Sequence, residues 1–145
     1  MFNQVQKSYL AGFLDGDGSI YVRLKPNSSY KYGFQIAPYI VLFQSKKEQR
    51  SFEKICSMIG LGHLRTRKDG ILEYIISKEG NLRQFLNMVK PFTVLKRKQV
   101  RLMIEILKKK EKIETKKDFY RLANLIDRFR ELNYSKKRKK HILTP

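Results

Sequence analysis

Nine residues near the start of the chain constrain it more than any other stretch: Leu10-Ala11-Gly12-Phe13-Leu14-Asp15-Gly16-Asp17-Gly18. The spacing of residues 5–14 predicts a helix, stopped by the glycine-rich Asp15-Gly16-Asp17-Gly18. Ala11 and Gly12 are small residues inside that helix. A helical glycine costs about 1 kcal/mol against alanine, so it should serve something, and close approach of another backbone is the obvious gain. Two carboxylates then stand at the negative end of the helix dipole, where structure alone favours lysine. A bound divalent cation resolves that conflict, because hard ions take carboxylate and carbonyl oxygens. Asp-Gly-Asp-Gly also reads as a plain turn. An EF-hand starting at Asp15 fails, since its glycine position falls on Ile20 and its bidentate acid on Pro26.

Charge narrows the partner. The chain carries 32 Lys+Arg against 13 Asp+Glu, a formal net charge of +19. Such an imbalance says nothing about fold but points to a polyanion, because each neutralised phosphate releases counterions. Nucleic acid is expected, and a membrane is not. The single cysteine, Cys56, excludes an intrachain disulfide and a multi-cysteine metal site, and it falls in the apolar run Phe52, Ile55, Cys56, Ile59. No transmembrane-length stretch or signal-peptide core is visible. The expected location is therefore not secreted: an organelle if the host is eukaryotic, the cytoplasm otherwise.

Beyond the first helix, residues 19–25 alternate, with Ile20, Val22 and Leu24 on one face and Tyr21, Arg23 and Lys25 on the other. A turn at Pro26-Asn27-Ser28-Ser29 leads to a second strand over residues 32–43. Pro38 within it predicts a bulge or an unpaired stretch, because proline cannot donate a ladder bond. A helix over 46–59 ends at Gly60 and Gly62, and strands over 63–67 and 71–76 flank Lys68-Asp69-Gly70. Helices follow over 82–89, 97–110 and 117–132. This is an α+β domain over residues 1–135, with a basic tail over 136–145.

Residues 10–18 closely resemble the signature of the LAGLIDADG homing endonucleases. The likeness extends to the single-motif, intron-encoded subfamily of algal chloroplasts through Lys25-Pro26-Asn27, Ser29-Tyr30-Lys31, Ile59-Gly60 with Gly62, Pro91-Phe92, and Leu95-Lys96 with Lys98-Gln99. It covers roughly residues 8 to 133. The resemblance implies an αββαββα fold with extra C-terminal helices, whose antiparallel, saddle-shaped sheet sits on double-stranded DNA. It implies a homodimer whose motif helices meet at Leu10, Ala11, Gly12 and Phe13. Asp17 and the carbonyl of Gly16 would hold magnesium, or manganese in its place; calcium is expected to bind without supporting cleavage. Asp15 would play a supporting part. Gln44 matches a residue that orders solvent near the nucleophile, and Lys96 one that polarises water or stabilises phosphate charge. By residue type alone, Gln44 is a strand-end cap and Lys96 a surface lysine. The chain departs from the family at Glu48, where relatives carry a basic residue that Lys47 or Arg50 would have to replace, and at Pro38.

A hairpin's polar face is a plausible major-groove reader. One face offers Tyr21, Arg23 and Lys25, then Asn27, Ser29 and Tyr30 in the turn, and Gln35, Ala37 and Val41 on the return. The second hairpin adds Arg65, Arg67, Glu73 and Ile75. Arginine and glutamine pair with guanine and adenine, glutamate accepts from cytosine, and Ile75 suits a thymine methyl. A nine-residue ribbon spans roughly 30 Å, about nine base pairs, so two subunits would read about twenty base pairs, pseudo-palindromically. The expected activity is hydrolysis of both strands at such a site, promoting intron mobility. An RNA maturase, or a non-catalytic DNA-binding protein on the same fold, stays open as an alternative.

Overall fold

The computed structural model describes residues 1–133; the expected basic run 136–140 lies outside them. Helix α1 (Gln4–Asp17) opens on a capping box in which Asn3 and Gln6 each accept the other's backbone N–H. It runs on through Asp15, Gly16 and Asp17, past the predicted stop at Leu14. Gly18, not Gly16, ends it. The Gly18 N–H donates to the Leu14 carbonyl, and a Cβ at position 18 would meet Leu14 backbone atoms at 2.9 Å. Glycine there lets the helix turn directly into strand β1 (Gly18–Pro26).

Strand β1 pairs antiparallel with β2 (Phe34–Ser45). A 3-10 turn (Lys46–Glu48) precedes α2 (Gln49–Ile59), so the expected single helix is two pieces; the Ser45 hydroxyl accepts the Lys47 N–H and starts the tighter turn. Gly60, at φ 63°, takes the left-handed conformation that terminates α2. Strands β3 (His63–Thr66) and β4 (Ile71–Ile76) form the second hairpin, and the sheet order is β1-β2-β4-β3, antiparallel throughout. Helices α3 (Glu79–Val89), α4 (Arg97–Glu111) and α5 (Lys116–Glu131) complete the fold.

Alternation sorts the sheet into two faces. Ile20, Val22, Leu24, Ile36, Ile40, Leu42, Leu72, Tyr74 and Ile76 are buried beneath the helices. The Tyr74 hydroxyl accepts the N–H groups of Leu61 and Gly62 at 2.9 and 2.7 Å, tying the loop after α2 to this core. Cys56 is also in the core, as expected.

The predicted interruption at Pro38 is absent: Pro38 pairs with Val22 in an unbroken register. The reason is positional. Strand β4 joins β2 only over the pairs Ile40↔Ile76 to Ser45↔Ile71, so Pro38 has a neighbouring strand on one side only, where proline is tolerated. Residues 34–39 and their β1 partners thus form a two-stranded ribbon extending past the full sheet. Helix α5 holds it. The Tyr32 ring stacks on Phe119 at 5.2 Å, Phe34 lies 6.3 Å from the same ring, and the Tyr32 hydroxyl donates to the Glu114 carbonyl at 3.5 Å. The start of α5 is fixed by a Thr115–Asp118 capping box; the N–H groups of Glu114 and Thr115 hold the Asp118 carboxyl below its ordinary range.

Candidate active site and nucleic-acid interface

The motif helix delivers its last residue, Asp17, to solvent, with no basic residue in its final turn. Asp15 turns the other way. Its carboxylate accepts three backbone N–H bonds, from Val94 at 2.8 Å, Leu95 at 3.1 Å and Lys96 at 3.0 Å. In return, the Lys96 ammonium donates to the Asp15 carbonyl at 2.8 Å. A positive charge is thereby seated on the negative end of the α1 dipole. Residues some eighty positions apart in sequence become one unit, with Asp15 as the clasp. Gln44 comes to the same end of the sheet: Gly18 pairs with Leu42, so Gln44 stands two residues, roughly 7 Å, beyond the start of β1. Its side-chain oxygen accepts the Ser45 N–H at 2.8 Å, the capping role that its residue type suggests.

The open face of the sheet forms a trough of about 580 Å³. Arg23, Lys25, Gln35, Ala37, Val41, Arg65, Glu73 and Ile75, all expected to face DNA, line it. Tyr21 shares the face, its ring 5.2 Å from Tyr39 across the ladder. Arg65 and Glu73 form a 3.8 Å ion pair, and Arg67 is engaged at 2.6 Å by Asp69 in the hairpin turn. At the outer tip the Asn27 side chain accepts from the Ser29 N–H and hydroxyl, leaving Tyr30 exposed. One expectation changes: Val41 is on this face but only 5% exposed, flanked in register by Ser19 and Ile75, and has little surface to offer a base. The trough also includes Tyr39, Ser77, Glu79 and Lys110, which sequence reading missed. Tyr39 was discoverable, since it continues the alternation of Gln35, Ala37 and Val41. Lys110 was not, because it arrives from α4.

Chain comparison agrees with this architecture. Residues 10–104 match the LAGLIDADG endonuclease family. DNA endonuclease I-CreI of Chlamydomonas reinhardtii is 35% identical over 139 residues, spanning 95% of this chain and 85% of the relative. The chain belongs to the LAGLIDADG endonuclease family. I-CvuI of Chlorella vulgaris is 29% identical over 136 residues, covering 94% of this chain and 84% of its own length. The structure of I-CvuI bound to the I-CreI target in 2 mM Mg, its DNA not cleaved, superposes with a TM-score of 0.86 over 94% of this chain and 87% of that one, at 29% identity. An archaeal intron-encoded relative in complex with DNA, I-Vdi141I, shares the fold at a TM-score of 0.81 and 21% identity, covering 95% and 89% of the two chains.

In this LAGLIDADG endonuclease the motif helix divides its small residues differently from expectation. Leu10 and Ala11, expected at a helix–helix interface, are 0% exposed and belong to the chain's own core, as Leu14 does. Phe13 is part-buried and stacks on Phe52 at 5.9 Å. The open stripe of α1 is instead Gly12 and Gly16, where an added Cβ meets nothing within 4 Å, continued by exposed Val5 and Tyr9. The loop clasped by Asp15 adds Val94 and Leu95, 70% and 75% exposed.

Among the described residues no group of three or more His, Cys, Asp or Glu side chains could hold a metal ion. Helix α1 ends on the exposed Asp17 carboxylate and the Gly16 carbonyl. Both are oxygen donors of the kind a hard dication takes. Glu48 is exposed in the turn that follows Gln44, and Lys47 and Arg50 are exposed beside it.

Proposed function

We propose that this endonuclease works as a symmetric homodimer that hydrolyses one phosphodiester in each strand of a long pseudo-palindromic DNA site, and so promotes mobility of an intron. One observation carries the reading. The motif helix presents an open glycine stripe along its length and an exposed acid at its end, yet among the described residues no group of three or more His, Cys, Asp or Glu side chains could hold a metal ion. Two copies packed through Gly12 and Gly16, with Val5, Tyr9, Val94 and Leu95 covered, would bring two Asp17 carboxylates to the dyad.

Asp17 and the Gly16 carbonyl would hold magnesium there, manganese would substitute, and calcium would bind without supporting cleavage. Such an ion, when bound, would supply a water nucleophile at neutral pH and charge stabilisation for the attacking and leaving oxygens. The chain's own groups do the rest. Lys96, steadied on the Asp15 carbonyl, places an ammonium where phosphate charge develops. Gln44 orders water at the strand end. The sheet face with Arg23, Lys25, Gln35, Arg65 and Glu73 lies in the major groove, and Asn27, Ser29 and Tyr30 reach outward.

The test is selection of cleaved duplexes from a randomised library with magnesium present, with Asp17→Asn protein as control. Recovery of one pseudo-palindromic site of about twenty base pairs, cut on both strands by wild type alone, is expected. Equal cutting by the control, or cutting without sequence preference, would overturn the proposal.

A further inference from the structure

The groove-facing surface is not uniformly polar. Its outer part consists of Arg23 opposite Ala37 and Lys25 opposite Gln35. Its inner part carries an apolar strip, Tyr21 opposite Tyr39 and Val41 opposite Ile75, with Ser19 and Glu73 as the polar residues beside it. Tyr21 and Tyr39 hold their rings 5.2 Å apart at 37°, a cross-strand pair that presents one broad aromatic surface. Both are part-exposed, as is Ile75. A surface of this kind has one complement in the major groove. Every base-pair edge there offers hydrogen-bonding atoms, but only thymine offers an apolar group, its 5-methyl.

Resting on the proposed endonuclease reading, we infer that the Tyr21–Tyr39 pair, with Ile75 beside it, selects thymine at inner positions of each half-site. The register supplies a ruler. Tyr21 precedes Arg23 by two residues, about 7 Å along the strand, which is about two base pairs. The thymine preference therefore falls about two base pairs nearer the dyad than the preference set by Arg23. The pair reads a methyl group, so its contribution is independent of the hydrogen-bond pattern that arginine and glutamine read farther out. The phenol hydroxyls are not required for it.

The experiment uses the site recovered by selection and replaces each thymine in turn with deoxyuridine, which deletes only the methyl. Wild-type binding, measured in calcium, should weaken by about fourfold for each methyl lost at the inner positions, as expected for removing one buried methyl group. Thymines elsewhere should be insensitive. Tyr39→Ser should erase the difference between thymine and deoxyuridine, and Tyr39→Phe should retain it. A cleaved site with no inner thymine preference, or wild-type protein blind to the methyl, overturns this inference and leaves the endonuclease reading intact. Failure to cleave any sequence overturns both.

Discussion

Asp15→Asn tests whether the carboxylate behind the proposed metal-binding end of α1 organises the site without touching substrate. The side chain accepts three backbone N–H bonds at 2.8 to 3.1 Å. Bonds to a charged acceptor are roughly twice as strong as neutral ones. An asparagine oxygen can keep two of the three, and it keeps them without the charge. The released N–H is that of Lys96, which is only part-buried, so it can reach water and no full burial penalty applies. The loss is then about 1–2 kcal/mol, which lowers the melting temperature by about 3–8 °C for a domain of this size. The rate should suffer more than stability. With the Lys96 N–H untethered, its ammonium drifts from the α1 terminus, and a misplacement of about 1 Å costs up to a hundredfold in rate. Single-turnover cleavage in magnesium and DNA binding in calcium separate the effects. The rate should fall at least tenfold (about 1.4 kcal/mol) while affinity holds, because the reading face is elsewhere. Wild-type cleavage by a protein with an unchanged melting temperature would refute the clasp. So would a loss of affinity in step with rate.

Asp17→Asn should abolish cleavage in magnesium while folding and DNA binding persist, since the change also relieves a charge at the wrong end of a helix dipole; cutting at wild-type rate would refute the metal role. Gly12→Leu fills the open stripe of α1 and should leave a folded monomer, measured by sedimentation; an unchanged dimer would place the interface elsewhere. Arg23→Ser or Gln35→Ser should each relax preference at a few base pairs, costing about 1–3 kcal/mol, and an unaltered cleavage profile would remove the sheet from the DNA. Burial pushes the Cys56 thiol from about 9 to about 11. Its folded pKa exceeds its unfolded one, so the stability it contributes is complete below about pH 9 and is lost as pH rises towards 11. Chemical denaturation should show Cys56→Ala flattening that decline; an identical slope would contradict the shift.

The sheet was legible because its signal is local. Ile20, Val22 and Leu24 alternate with Tyr21, Arg23 and Lys25, and period two needs no knowledge of the partner strand. The motif helix was legible as an element but not by face: a run of small residues shows that something comes close, not which side it comes from. Leu10 and Ala11 turned out to serve the core, and Gly12 and Gly16 the open stripe. Contacts between distant segments were the least legible. Nothing near Asp15 announces that its carboxylate holds residues 94–96, and nothing near Lys110 places it beside the sheet trough. Pro38 misled because its cost depends on whether a strand lies on its second side, which is a fact of topology.

The ribbon that outruns β4 has an evolutionary consequence. On the proposed reading its outer residues would meet DNA far from Asp17, Gln44 and Lys96, and the ribbon is anchored on Phe119 of α5 through Tyr32 and Phe34. Substitutions along it would then alter which sequence is bound without disturbing the parts proposed to cut. A lineage that must find a fresh insertion point whenever its old one is lost can therefore change its address by single steps, each intermediate still armed.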